Sequence, residues 1–262
     1  MPNRPIVGIG ASAGGVEALE QLFKSMPADN GMGFAVVTHP PNRESMLAAI
    51  IGRATQMQVV DARDGDMVDA EHVYVLPSST ILTIREGRLR LRHTGASDRE
   101  RTPIDVFLTS LAQDQAEHAI GIVLSGGGSD GTLGLKAIKE NGGLTIAQGA
   151  NVTRPRFAQM PLSAVASGFV DLVLPVEDIP DRIIAYVRNW GDFDTQPPED
   201  ALSTVYRLFQ THTGHDFSEY KDRTFQRRVQ RRMQVVQRRG SRNMSSSCRR
   251  TRTRSGRCCG TC

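Results

Sequence analysis

Two kinds of apolar block alternate along residues 5–190. The run at 5–10 ends in a glycine-rich turn, and "VEALEQLFKSM" after it places Val16, Leu19, Leu22 and Phe23 at helical spacing. "GFAVVTHP" then reads as a buried strand and "RESMLAAIIGRA" as a second helix. The next stretch changes period. "HVYVLPSS" and "TILTIREGRLRLRH" alternate apolar and polar residues, with Glu86-Gly87 at a hairpin turn, which predicts a local antiparallel excursion. The first pattern then resumes. A helix is expected from Pro103, with Val106, Phe107 and Leu111 apolar, followed by the strand "HAIGIVLSG" and the helix "TLGLKAIKE". The strand "GLTIAQ", a helix near "PLSAVASG", the strand "VDLVLP" and the helix "VEDIPDRIIAYVRNW" complete the series. Strands and helices alternating at this pace predict an α/β fold: a doubly wound, mostly parallel sheet with flanking helices and a β-hairpin excursion over residues 1–190.

The remainder differs in kind. Residues 191–200, "GDFDTQPPED", have linker composition. Residues 201–237 read as a small helical segment in which Phe225, Val229 and Met233 recur every four residues, while Arg227, Arg228, Arg231 and Arg232 lie on other faces. Residues 238–262 contain eight Arg and no Asp or Glu, and are expected to be disordered. Two readings of that tail stand: a basic arm for nucleic acid or membrane, or out-of-frame translation of a GC-rich gene, which the abrupt Arg, Ser, Cys and Gly composition favours.

Charge narrows the function classes. Thirteen of the 32 Lys and Arg lie beyond Asp222, the last acidic residue, leaving 19 basic against 28 acidic side chains and a net charge of −9 in residues 1–222. An acidic body argues against nucleic acid as the partner. All four cysteines fall in the last 15 residues, so the body holds no disulfide, and "RCCGTC" lacks the paired spacing of a zinc site. No apolar run has the length of a membrane span or a signal peptide, so a cytoplasmic location without membrane insertion is expected.

Candidate chemistry starts at "IVGIGASAGG", residues 6–15, which contains both G-x-G-x-x-A (Gly8, Gly10, Ala13) and G-x-S-x-G (Gly10, Ser12, Gly14). The first pattern suits a dinucleotide, the second a nucleophilic serine. A dinucleotide site wants an acidic residue at the end of the second strand, and His39 stands there instead. Ligands of open α/β sheets bind beyond the carboxyl ends of the strands, where Ser12, His39 and Asp130 all fall. Serine needs a base, histidine suits that role, and a carboxylate can fix the imidazole tautomer. Gly10, Gly14 and Gly15 would permit a sharp turn into the helix, leaving the N–H groups of Ala13 and Gly14 to stabilise an oxyanion. The order Ser, His, Asp differs from the Ser, Asp, His of ordinary α/β-hydrolases. A non-catalytic signalling adaptor and a dinucleotide-binding domain are the alternatives.

"GIGASAGGVEAL", "VVTHPP" and "VLSGGGSDGTLGLKAI", with "RTPIDVFLTSLA" and "FAQMPLSAVASGFVDLVLP", resemble the catalytic domain of the bacterial chemotaxis receptor methylesterases, the CheB family, over about residues 4–190. "LFQTHTGHDFSEYKDRTFQRRVQRRM" resembles the start of the opposing methyltransferases, the CheR family, whose cofactor-binding domain does not follow here. The resemblance implies hydrolysis of glutamate γ-methyl esters, and in some members glutamine deamidation, on methylated cytoplasmic helices of chemoreceptors. It assigns Ser12 as nucleophile, His39 as base and Asp130 as carboxylate partner, and implies neither metal nor organic cofactor. Gly127 and Gly128 support the loop around Asp130, with Gly127 where the resemblance implies a larger side chain. Family members typically carry a phosphoacceptor receiver domain ahead of this one; the chain begins without it, so control by phosphorylation in cis is not expected.

Overall fold

A computed structural model describes residues 5–39, 46–77, 80–93, 102–149, 155–188 and Thr211. The chain divides into two compact units, residues 1–184 and 185–262. The expected linker, helical segment and basic tail lie outside the described residues, Thr211 excepted.

Among the described residues, seven strands form one sheet in which every neighbouring pair runs parallel. They are β1 (Ile6–Ala11), β2 (Gly33–Thr38), β3 (Gln58–Asp61), β4 (His72–Val75), β7 (Ala119–Val123), β8 (Leu144–Gln148) and β9 (Leu172–Leu174), in the order β3-β4-β2-β1-β7-β8-β9. The helices are α1 (Gly15–Ser25), α2 (Leu47–Ala54), α3 (Pro103–Gln115), α4 (Thr132–Glu140), α5 (Gln159–Ala166) and α6 (Ile179–Arg188). Strands β5 (Thr80–Arg85) and β6 (Arg88–His93) make a separate antiparallel ribbon. Its turn is Glu86-Gly87, both at positive φ (55° and 71°), the backbone twist that a two-residue hairpin requires.

Residues His72–Val75 depart from the expected pairing. Their apolar–polar alternation suggests the antiparallel excursion, but His72–Val75 is β4, paired in parallel between β2 and β3. Strand β3, "QVVD", has no counterpart among the expected elements; it is a short, half-exposed edge strand with little periodicity to report.

Residues of alternate parity in each strand face different layers. In β1, Val7 and Ile9 turn to the side of α1, where Phe23 meets Phe34 of β2 edge-on with ring centroids 5.6 Å apart. Ile6, Gly8 and Gly10 face the larger core, built with α3, α4, α5 and the hairpin. A Cβ on Gly8 would come within 2.6 Å of Leu108, and one on Gly10 within 2.3 Å of Ile104. Both glycines therefore admit α3 to the sheet. Gly10 lies inside β1 and forms no part of the turn into α1 that its spacing suggests. The hairpin closes the outer side of α3: the Ile84 N–H donates to Ser110 Oγ at 3.0 Å, and the N–H groups of Glu86 and Gly87 donate to the Asp114 carboxylate.

Candidate active site

The chain winds outward on one side of β1 through β2 and later on the other side through β7. The crevice beyond the carboxyl ends of β1 and β7 is thus the switch point where open α/β sheets bind ligands.

Ser12 follows β1 directly. Its N–H donates to the Ser125 carbonyl at 2.9 Å, and its own carbonyl accepts from the Gly15 N–H at 2.8 Å, so the chain turns within three residues. Gly14 makes this possible with φ 68°, a left-handed conformation that costs other residues about 1 kcal/mol. It is also the N-cap of α1 and supplies no side-chain cap. Among the described residues, the N–H groups of Ala13 and Gly14 have no acceptor within the chain. Both sit at the positive end of α1.

His39 follows β2 and is half-buried. Its Nδ1 lies 3.0 Å from Ser12 Oγ and its Nε2 lies 3.0 Å from Asp130 Oδ2. With a carboxylate facing Nε2, the proton resides there, and the lone pair on Nδ1 faces the hydroxyl.

Asp130, in the loop after β7, is only 5% exposed. Its burial is compensated by donors. Oδ1 accepts from the Asp105 and Gly131 N–H groups at 2.9 and 2.8 Å, and Oδ2 accepts from the Ile104 N–H at 3.0 Å. Pro103 occupies the start of α3 and has no N–H, so Asp130 takes the next two backbone donors, at a helix end that favours negative charge. A carboxylate from a distant loop therefore caps α3. The relation is reciprocal: Asp105, in the first turn of α3, accepts the Gly134 N–H of α4 at 2.8 Å. Burial, and then the neighbouring Asp130 charge, raise the Asp105 carboxyl above the usual range, against the lowering effect of the Gly134 N–H.

Of the remaining candidates, Gly15 packs against the strand end, where a Cβ would meet Ala11 Cβ at 2.7 Å. Gly128 has φ 78°, and its N–H approaches Gln159 Oε1 at 3.4 Å. Around Gly127 there is room for a side chain: a Cβ there would have Gln159 Oε1 as its nearest neighbour, at 3.9 Å. The apolar side chains of Val16 and Phe157 are exposed beside the turn.

Two residues of the site are absent from the candidates that the sequence suggests. Asp105 looks like an ordinary charged first-turn residue, and only its burial sets it apart. Ser125 is fully buried and touches three segments: its N–H donates to Gln148 Oε1, and its hydroxyl contacts the Ala13 carbonyl and the Phe157 backbone. The one signal for it is a polar residue closing an apolar strand, at "VLS" and again at "IAQ".

The fold and the crevice define a doubly wound parallel α/β protein with a Ser–His–Asp contact chain at its switch point. Residues 7–183 match the CheB methylesterase family, and residues 200–240 match the all-alpha domain of CheR methyltransferases. The chain belongs to the CheB methylesterase family. A protein-glutamate methylesterase/protein-glutamine glutaminase of Anaeromyxobacter dehalogenans is 37% identical over 184 residues, covering 70% of this chain and 53% of the relative. One from Pyrococcus horikoshii is 32% identical, covering 72% and 52%. An uncharacterized 104.1 kDa protein of Rhodobacter capsulatus is 34% identical, covering 73% of this chain and 23% of that protein. The chain thus spans about half the length of the two named methylesterases and about a quarter of the third relative. The crystal structure of the Thermotoga maritima CheB methylesterase catalytic domain superimposes with a TM-score of 0.62 at 30% identity, covering 69% of this chain and 97% of that one. Among the described residues, no helix is long and apolar enough to cross a membrane, and no group of three or more His, Cys, Asp or Glu is placed to hold a metal ion.

Proposed function

We propose that this chain hydrolyses glutamate γ-methyl esters on methylated receptor-type proteins of a chemotaxis or sensory system, with Ser12 as nucleophile, His39 as general base and acid, and Asp130 as the partner of the imidazole. The observation that carries this reading is the contact chain from Ser12 Oγ through both ring nitrogens of His39 to a buried, fully capped Asp130. The names of the relatives support the choice of ester and of glutamine as a second substrate.

In the first half-reaction Ser12 Oγ attacks the ester carbonyl and its proton passes to His39 Nδ1. The carbonyl oxygen becomes an oxyanion within reach of the Ala13 and Gly14 N–H groups. Collapse breaks the bond to the methoxy oxygen, which takes the proton from His39 and leaves as methanol, with the acyl group on Ser12. Water then gives a proton to His39, its oxygen attacks the acyl carbon, and Ser12 recovers a proton as the glutamate leaves. Glutamine would follow the same steps with ammonia as leaving group. Asp130 stays ionised throughout and stabilises the imidazolium.

Methanol release from a methylated receptor fragment tests the reading, together with labelling by a fluorophosphonate probe. Ser12→Ala is expected to abolish both while the thermal unfolding midpoint stays near that of the parent. Retained turnover in that variant would sink the mechanism.

A further inference from the structure

We infer that Ser125 is a positioning residue that aims the oxyanion-binding N–H of Gly14; the inference rests on the proposed serine mechanism. In a trans peptide the C=O and the following N–H point in opposite directions, and the chain has no cis peptide bond among the described residues. Fixing a carbonyl therefore aims the N–H on its other side. Two consecutive peptides are fixed in this way after β1. The Ser12 carbonyl is held by the Gly15 N–H at 2.8 Å, which directs the Ala13 N–H away from the helix start. The Ala13 carbonyl is held by the Ser125 hydroxyl at 3.0 Å, which directs the Gly14 N–H away from Ser125.

The first anchor is backbone and does not depend on any side chain. The second is one side chain, and its surroundings fix its role. Ser125 is fully buried, and its hydroxyl oxygen accepts the Phe157 N–H at 3.0 Å. A single hydroxyl has one proton, and the Ala13 carbonyl at 3.0 Å is a closer acceptor than the Phe157 carbonyl at 3.3 Å, which already accepts the Gly126 N–H at 2.9 Å. Accepting from Phe157 thus orients the hydroxyl to donate to Ala13. The Ser125 backbone is itself clamped, its carbonyl by the Ser12 N–H and its N–H by the buried Gln148 side chain, both at 2.9 Å. Ser125 therefore holds the nucleophile's own N–H with its main chain and the neighbouring oxyanion donor with its side chain.

The rate of labelling by a fluorophosphonate probe on the full chain tests this. In that reaction the Ser12 oxygen–phosphorus bond forms, the phosphorus–fluorine bond breaks, fluoride leaves, and the serine proton passes to His39. Its transition state places negative charge on the phosphoryl oxygen, where the Gly14 N–H acts. Ser125→Ala is expected to slow labelling about tenfold to a hundredfold, the scale of a misaimed donor. Ser125→Thr, which keeps the hydroxyl, is expected to label at the parent rate, and the pH profile set by His39 should not move in either variant. Ser125→Cys keeps the volume with a weak donor and is expected to be slowed as well, which covers the case that the alanine variant does not fold. Parent-rate labelling in a folded Ala or Cys variant would overturn the inference. So would slowing in the Thr variant, which would make volume the cause, or a displaced pH profile, which would move the effect to His39. A parent protein that is inert to the probe would remove the serine mechanism itself, and this inference with it.

Discussion

The N-termini of α1 and α3 open into the same crevice and are finished in opposite ways. That of α3 is filled: Asp130 reaches in from the loop after β7 and accepts the Ile104 and Asp105 N–H groups. That of α1 is open, capped by a glycine without a side chain, and its Ala13 and Gly14 N–H groups find no acceptor among the described residues. The same physics, backbone donors at the positive end of a helix, holds a permanent carboxylate in one case and, in the mechanism we propose, would receive a transient oxyanion in the other. Between the two ends stands His39, 3.0 Å from Ser12 on one side and 3.0 Å from Asp130 on the other. In the proposed mechanism the helix end that is left open is the one that serves the reaction.

The largest break in that contrast is expected from Asp130→Asn. An amide NH2 facing Nε2 would force the imidazole proton to Nδ1, where it confronts the Ser12 hydroxyl and cannot accept its proton. Ester turnover should fall about 10⁴-fold, the scale this tautomer change carries in Ser-His-Asp enzymes. The amide oxygen at the Oδ1 position keeps the Asp105 and Gly131 N–H groups, and the Ile104 N–H loses its acceptor, a cost of about 1–3 kcal/mol in stability. Single-turnover methanol release together with the unfolding midpoint checks both halves; near-parent turnover would separate Asp130 from the chemistry.

Gly14→Ala attacks the open end. Its left-handed φ strains an alanine, and the added Cβ would lie 2.8 Å from Arg156 Cβ and 3.0 Å from Ser125 Oγ. A loss of about 1–2 kcal/mol is expected in denaturant titration, together with slower probe labelling as the oxyanion donors shift. Parent-like values of both would show that the turn is not tightly specified.

The smallest effect concerns the filled side. The raised carboxyl of Asp105, due first to burial and then to the Asp130 charge, binds a proton more readily in the folded chain than in the unfolded one. Its contribution to stability is therefore present below the ordinary aspartate range and is lost as pH rises through the higher folded value. Asp105→Asn keeps an oxygen for the Gly134 N–H and removes this titration. Relative to the parent, the variant should gain stability as pH rises through that interval, measured by denaturant titrations between about pH 4 and 8. A stability difference that is constant with pH would contradict the assignment.

Much of this architecture is legible in the sequence because its signals are local. The helix over Thr132–Glu140 and the hairpin turn at Glu86-Gly87 follow from periodicity and turn chemistry, and Ser12, His39 and Asp130 stand out as polar residues closing apolar strands. The glycines of "GIGASAGG" are harder to read. Their spacing fits two ligand motifs, yet Gly8 and Gly10 serve the approach of α3, through contacts with Leu108 and Ile104 far along the chain. The placement of β4 shows the same limit, since alternation reports which faces are buried and not which strand is the neighbour.

The sequence by itself determined the succession of elements apart from β3 and the place of β4, the strand ends that carry the polar side chains, and the family, because each depends on residues read in order. Only the tertiary structure decided that Asp130 is the cap of α3, that Asp105 in turn binds α4, and that the buried Ser125 hydroxyl grips the Ala13 carbonyl. Those bonds join residues 25 to 112 positions apart, and hydrogen-bond partners at such separations are selected by the packing of whole elements, which no local pattern of residues encodes.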